Sequence, residues 1–294
     1  MYKYLTAVCS LLVQSAPLLI AAYGALLSEY TGLLNVGIEG LMLTGAFIGV
    51  CVLSCVGETL GFIGIAFALV CAAAVGAVVA GSMGCLTLRR HADFYILGLA
   101  VNLLASGSIS LVTTRFFDNQ AIILLPKFFT LHPGGVWTVH LILLAFIGFS
   151  CVYVLQYTKI GLRLRLLSAN STILYAAGVS TESAKLSALV VSGSLAAAAG
   201  CLLPLKLGAF VQNQSAGKGW LALVLVYAGG KSAVGVAAAT FLFVYLENRI
   251  AAAQMGLEHP AVLIGLPFFL GLFIIIIEKI GMKIMWKPLT ALGF

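Results

Sequence analysis

With 294 residues, 62% of them hydrophobic and 9% charged, and a mean hydropathy of +1.13, the chain lies far below the roughly 25% charge content of soluble domains. A water-soluble globule is excluded, and the chain reads as an all-α polytopic membrane protein. The net charge of +7 does not mark a nucleic-acid binder, because the cations are scattered over the connections between apolar runs instead of lining one face.

A hydrocarbon core of about 30 Å needs about 20 apolar helical residues. On that rule about nine crossings are expected: Tyr4 to Leu27, Gly37 to Val56, Leu60 to Leu86, Phe94 to Thr113, Trp137 to Tyr157, Leu186 to Pro204, Trp220 to Gly229, Ser232 to Ala253 and Ala261 to Ile277. The first is longer than the apolar core of a signal peptide and is followed by many equivalents, so it reads as a retained helix. Cys9 lies early, but Val8 before it does not suit lipid attachment. The seventh run is too short to span and is followed by Gly229-Gly230-Lys231, which predicts a broken or re-entrant half-helix buried within protein.

Between the first two runs the chain turns polar: Ser28-Glu29-Tyr30-Thr31-Gly32-Leu33-Leu34-Asn35-Val36-Gly37-Ile38-Glu39-Gly40. An unpaired carboxylate near hydrocarbon costs several kcal/mol, so Glu29 and Glu39 each need a partner, a proton or a water-filled cavity. Such a break suits a discontinuous helix lining a path. From Thr31 onward the string resembles the S-G-hydrophobic-hydrophobic-N-hydrophobic-G-hydrophobic-E-G signature of the membrane permeases of bacterial ABC importers for sugars and nucleosides, with Thr31 in place of the usual Ser.

Three more landmarks of that family recur in order, so the resemblance covers nearly the whole chain. Asp93, Gly98, Ala100, Asn102 and Ala105 match R-A-D-[EQ]-x-[IV]-x-G-x-A-[LI]-N-x-[LI]-A, with His91 and Phe94 departing from it. Asp93 is placed to cap the fourth helix. Asn102, about two turns into that helix, should bond another helix or a ligand.

The stretch from Phe116 to Trp137 mixes aromatics with few charges and reads as an interfacial belt or as a docking surface for a receptor. Beyond the fifth run, Thr158 to Arg165, Ser168-Ala169-Asn170 and Tyr175-Ala176-Ala177-Gly178-Val179 are similar to the family's cytoplasmic loop. The resemblance implies that this loop forms a short coupling helix docked in a groove of the ATPase subunit, so Ser168, Asn170, Ala176, Ala177 and Gly178 are the expected ATPase-coupling residues. A helix is expected with Asn170 near its start and Gly178 at its end.

Gly219-Trp220-Leu221-Ala222 and Gly229-Gly230-Lys231 through Gly235 resemble the family's last landmark. Gly230-Lys231-Ser232 is not a phosphate-binding loop, since Leu225 stands where such a loop needs glycine. Energy must therefore come from another protein.

Placing Arg89-Arg90, Lys159, Arg163, Arg165, Lys185, Lys231 and the tail lysines Lys279, Lys283 and Lys287 inside leaves ten basic residues in the cytoplasm against six outside, with the amino terminus outside. Small residues such as Gly76, Ala80, Gly193 and Gly200 should let helices approach closely. The seven cysteines lie in or beside apolar runs without metal or disulfide spacing, and the four histidines fall at segment edges.

Residues 1–294 thus read as one transmembrane permease domain in the bacterial cytoplasmic (inner) membrane, with no catalytic, metal or cofactor site of its own. The resemblance implies three kinds of partner: an ATP-binding subunit, a second permease forming a homo- or heterodimer, and a substrate-binding lipoprotein or periplasmic protein. The expected substrate path is formed by Asn35, Glu39, Asn102 and Trp220. The form of the first landmark is most similar to the nucleoside-type branch, which implies a ribosyl or ribityl heterocycle, a purine nucleoside or riboflavin. A monosaccharide is the alternative. An ion-driven carrier is disfavoured, because only Glu39 and Glu247 supply ionisable groups within the spans.

Overall fold

The computed structural model describes residues 2–116, 122–126, 129, 133–169 and 171–254. In chain order it contains α1 (Tyr2–Glu29), α2 (Ile38–Leu60), α3 (Phe62–Arg90), α4 (Phe94–Phe116), β1 (Ile122–Leu124), α5 (Pro133–Tyr157), α6 (Lys159–Ala169), α7 (Ser171–Ala176), α8 (Thr181–Leu207), β2 (Ala209–Val211), α9 (Lys218–Ala228) and α10 (Ala233–Gln254).

Seven helices among the described residues are long and apolar enough to cross a membrane: α1 to α5, α8 and α10. The expected count of about nine crossings is thus not reached among the described residues. The expected seventh is α9, whose 11 residues rise about 16 Å, half of a hydrocarbon core. The expected ninth, 261–277, lies outside the described residues, as do the tail lysines.

α8 occupies the centre, packed against α1, α2 and α3, and it does so with small residues. A Cβ on Gly45 of α2 would overlap the Ala197 carbonyl of α8, one on Gly200 would overlap the Met42 carbonyl, and Gly76 and Gly193 stand in each other's place on α3 and α8. In lipid, where no water is squeezed out between helices, close backbone approach supplies the dispersion contacts that hold a bundle.

Helix ends follow local chemistry. Asp93 Oδ1 accepts the Tyr95 and Ile96 amides at 2.8 and 3.2 Å and starts α4, while the preceding α3 stops at a left-handed His91 after Arg89 and Arg90. Ser180 caps α8. The exposed Arg89–Glu182 pair, 3.8 Å apart, places the end of α3 and the start of α8 on one side of the bundle.

Past α8 the chain turns at a left-handed Gly208 and does not stay at the surface. β2 pairs antiparallel with β1, Ile123 opposite Phe210, and the fully buried Phe210 ring meets Phe47 of α2 edge-on, centroids 5.6 Å apart. Through Phe210 the connection is drawn into the bundle, where it delivers the start of α9. His140, expected at a segment edge, is fully buried in α5, its ring nitrogens 2.9 Å from the Val136 carbonyl and 3.2 Å from the Leu202 carbonyl of α8.

Candidate functional site

The site grows from the break between α1 and α2. Its backbone polar groups cannot rely on a helix ladder, so short side chains satisfy them. Ser28 Oγ accepts the Asn35 amide at 3.2 Å, Thr31 Oγ1 donates to the Ser28 carbonyl and accepts the Leu33 amide, and Asn35 Oδ1 accepts the Gly37 amide at 3.1 Å. Ser28, Thr31 and Asn35 are fully buried.

The first turn of α2 then exposes amides with no partner in their own helix, and α4 supplies one. Asn102 Oδ1 accepts the Gly40 amide at 2.7 Å and its Nδ2 donates to the Val36 carbonyl at 3.0 Å. The side-chain amide is thereby used on both ends, eight residues and about 12 Å into α4. Glycine is required at this crossing: a Cβ on Gly40 would lie 2.8 Å from Asn102 Cα, and one on Gly98 would lie 2.8 Å from the Gly37 nitrogen.

Glu39, in the same turn, reaches across to α9. Its Oε1 accepts the Gly217 amide at 2.9 Å and its Oε2 the Gly219 amide at 2.7 Å. The carboxylate thus occupies the positive end of the half-helix, where unpaired amides and the aligned peptide dipoles favour an anion. The expectation that a carboxylate at this depth must find a partner is met by backbone amides.

The far end of α9 is held by the other carboxylate of the break. Lys231 Nζ lies 2.5 Å from Glu29 Oε1, and the Tyr227 hydroxyl donates to Glu29 Oε2 at 3.1 Å. The ammonium also stands 4.9 Å from the centroid of the Tyr227 ring, a cation–π contact. The turn that brings Lys231 there needs positive φ at Gly230 (60°) and at Lys231 itself (52°). It is fixed by Tyr30, whose hydroxyl donates to the Lys231 carbonyl at 2.6 Å. Burial pushes the Tyr30 phenol above its ordinary range, so it remains a donor at neutral pH.

α9 is consequently an 11-residue strut clamped at both ends by Glu39 and Glu29. Most of it is buried; Trp220, Val224 and Tyr227, at helical spacing, form its open stripe. Of the expected path residues, Glu39 and Asn102 meet at the start of α2, Asn35 lies buried beside them, and Trp220 stands on the open stripe. Sequence reading left Glu29 without a partner, did not name Tyr227, and took Lys231 only as part of a landmark and as a cytoplasmic cation. The signal was present in Lys231, a lone cation between two apolar runs that has to find an anion.

The expected coupling segment is also a distinct feature. Ser168 lies at the end of α6, its hydroxyl donating to the Arg165 carbonyl as in a continuing helix, because Leu166, Leu167 and Ala169 are good helix formers. Asn170 lies outside the described residues. α7 carries Ala176 in its last turn and ends at Gly178 (φ 73°), whose amide donates to the Tyr175 carbonyl at 3.0 Å. Ala176, Ala177 and Gly178 are exposed, Leu174 anchors the turn inward, and Tyr175 is 80% exposed.

A bundle of membrane-crossing helices surrounding a clamped half-helix, with a short helix projecting at one end, defines the class: a multi-pass transport permease. The chain belongs to the family described as branched-chain amino acid transport system / permease component, which matches residues 7–277, and so to the permeases of ABC transporters in the cytoplasmic (inner) membrane. Its relatives include the guanosine ABC transporter permease protein NupQ of Bacillus subtilis, 25% identical over 81% of this chain and 79% of that protein. The nucleoside ABC transporter permease protein NupC of Lactococcus lactis is 25% identical over 80% and 79%. The putative glucose ABC transporter permease protein TsgC13 of Haloferax volcanii is 28% identical over 86% and 80%. These relatives are transporter permease subunits, which are not enzymes; a permease of this class works with an ATPase and a binding protein. No solved structure matches the chain significantly.

Proposed function

We propose that residues 1–294 act as one permease domain carrying a nucleoside-like ribosyl or ribityl heterocycle into the cell, hydrolysing no ATP itself. The observation that carries this reading is the open stripe Trp220, Val224 and Tyr227 on the otherwise buried α9. It offers two aromatic faces to a planar base, a contact worth about 1–3 kcal/mol per stacked base in other proteins, beside the polar break holding Asn35, Glu39 and Asn102. The relatives named for guanosine and nucleosides support the same choice.

In this reading the stripe and the exposed face of α4, with Tyr95, Leu99 and Leu103, line the path against a second permease, a different chain in preference to a second copy. A lipoprotein or periplasmic receptor delivers substrate from outside. Asn35 and Asn102 position the start of α2, and Glu39 fixes the upper end of the half-helix. The Glu29–Lys231 pair closes the path on the cytoplasmic side. ATP binding and hydrolysis in the partner bias the outward-open and inward-open states through α7, as differential affinity for two states requires.

The reading is tested by reconstituting the chain with its ATPase, second permease and receptor in proteoliposomes and measuring ATP-driven uptake of labelled guanosine, riboflavin and glucose. Uptake of guanosine or riboflavin is expected. Uptake of glucose alone would favour the monosaccharide reading, which the glucose-type relative supports.

A further inference from the structure

A cleft of about 320 Å³ opens between α1, α5, α6 and α8, touching α1 at Leu27. Its walls are hydrocarbon, among them Ile147, Val154, Ile160, Leu164 and Val191, and its hydroxyls belong only to Ser150 and Ser187. Ser187 already donates to the Ala184 carbonyl at 3.0 Å. Along α8 the cleft runs from Ser187 to Leu195, eight residues or about 12 Å, close to the roughly 15 Å of hydrocarbon in one leaflet.

One end of the cleft is charged. Leu164, buried, and Ile160, exposed, line its mouth from α6, and each is preceded in sequence by an exposed cation, Arg163 and Lys159, one helical turn apart. The ion pairs among the described residues are Arg89–Glu182 and Lys231–Glu29, so neither cation is spent on a carboxylate there. The last turns of α5 beside this mouth carry Phe149, Tyr153 and Tyr157, exposed, with successive ring centroids 6.0 Å apart, the first pair stacked and the second tilted. Amphipathic rings favour the headgroup level, which sets the depth of Lys159 and Arg163.

We propose that this cleft is a binding site for an anionic phospholipid, one acyl chain lying between α5 and α8 and the headgroup phosphate held by Lys159 and Arg163. A polar solute finds no partners along the walls, whereas an acyl chain fills them without desolvation cost. Cations beside an anionic headgroup contribute attraction that a zwitterionic lipid does not return. Given the proposed orientation, the lipid belongs to the cytoplasmic leaflet and braces α5 and α6 just ahead of α7.

The experiment places the full chain, alone and with its ATPase subunit, in phosphatidylcholine nanodiscs doped with phosphatidylglycerol carrying a diazirine on one acyl chain, and maps photo-adducts by mass spectrometry. Nanodiscs present the same lipid to both sides, so the result does not depend on the orientation or on the transported substrate. Adducts should concentrate in peptides 146–164 and 187–195 and be competed by unlabelled phosphatidylglycerol. The Lys159→Gln/Arg163→Gln double variant should lose about 30-fold in preference, the equivalent of about 1 kcal/mol per cation. Ala188→Leu, which fills the wall while leaving the charges, should lower the adducts too. Equal labelling by the phosphatidylcholine analogue, adducts spread evenly over α3 and α4, or their removal when the ATPase subunit binds would each overturn the proposal. The last of these would assign the cations to a protein contact.

Discussion

The Glu39 carboxylate receives the Gly219 amide at 2.7 Å, a contact between residues 180 positions apart that fixes the start of the half-helix α9 on the first turn of α2. The partner is backbone, so the contact depends on the carboxylate alone. Glu39→Ala leaves the Gly217 and Gly219 amides without their acceptor, at a cost of about 1–3 kcal/mol for each buried donor stranded. A lower thermal unfolding midpoint in detergent and loss of uptake are expected; Glu39→Gln, which keeps an acceptor oxygen, should fall between. A wild-type midpoint and uptake for Glu39→Ala would remove the clamp from the account.

Gly219 itself should tolerate no side chain. A Cβ there would lie 2.5 Å from the backbone nitrogen and Cα of Glu39, so Gly219→Ala must push α9 off α2. Strain of this kind costs about 1–3 kcal/mol. Gly107→Ala, where nothing lies within 4 Å, is the control and should be neutral or slightly stabilising through helix propensity. Melting curves of the two variants decide it; equal midpoints would contradict the close approach.

The Glu29–Lys231 pair is half exposed on the lysine side, which limits its worth to about 1 kcal/mol or less. Its effect on transport should exceed its effect on stability, because it closes one end of the strut. Lys231→Met and Glu29→Gln should each alter uptake, and the double variant should do no further harm. Uptake rates over the four-member cycle read the coupling directly. Strictly additive effects would show that the two residues act apart.

Much of this arrangement could be read from residue chemistry. A carboxylate in an apolar stretch has to be satisfied, and Glu39 is; an Asn two turns into a helix has to bond something, and Asn102 bonds both Gly40 and Val36. What was not legible is who satisfies whom. The half-helix amides donate to a side chain, but the donors are backbone groups of glycines, so no residue type at Gly217 or Gly219 points to Glu39. The half-helix α9 was legible from its short apolar run and the glycines behind it, but its length says nothing of which carboxylates hold its ends. The His140 bridge was hidden because a single ring in an apolar run carries no partner in sequence.

Coupling is tested on α7. Tyr175 and Ala177 are exposed while Leu174 holds the turn to the bundle, so changes at the first two should spare the fold. Ala177→Glu would bury a charge in the ATPase contact, and Tyr175→Ala would remove a large apolar anchor. Each is expected to leave the melting point unchanged and to lower substrate-stimulated ATPase activity and uptake in the reconstituted complex. Undiminished stimulated transport would take α7 out of the mechanism.

The two clamps on α9 also set the order in which the molecule can be completed. Glu39 leaves the ribosome 178 and 180 residues before Gly217 and Gly219, and Glu29 202 residues before Lys231, a delay of roughly 10–40 s at 5–20 residues per second. During that interval both carboxylates sit at the membrane without their final partners, and the start of α2 cannot settle. Both clamps therefore close only after α8 has been made, and a nascent chain stalled before α9 carries two carboxylates without the partners they have in the finished one.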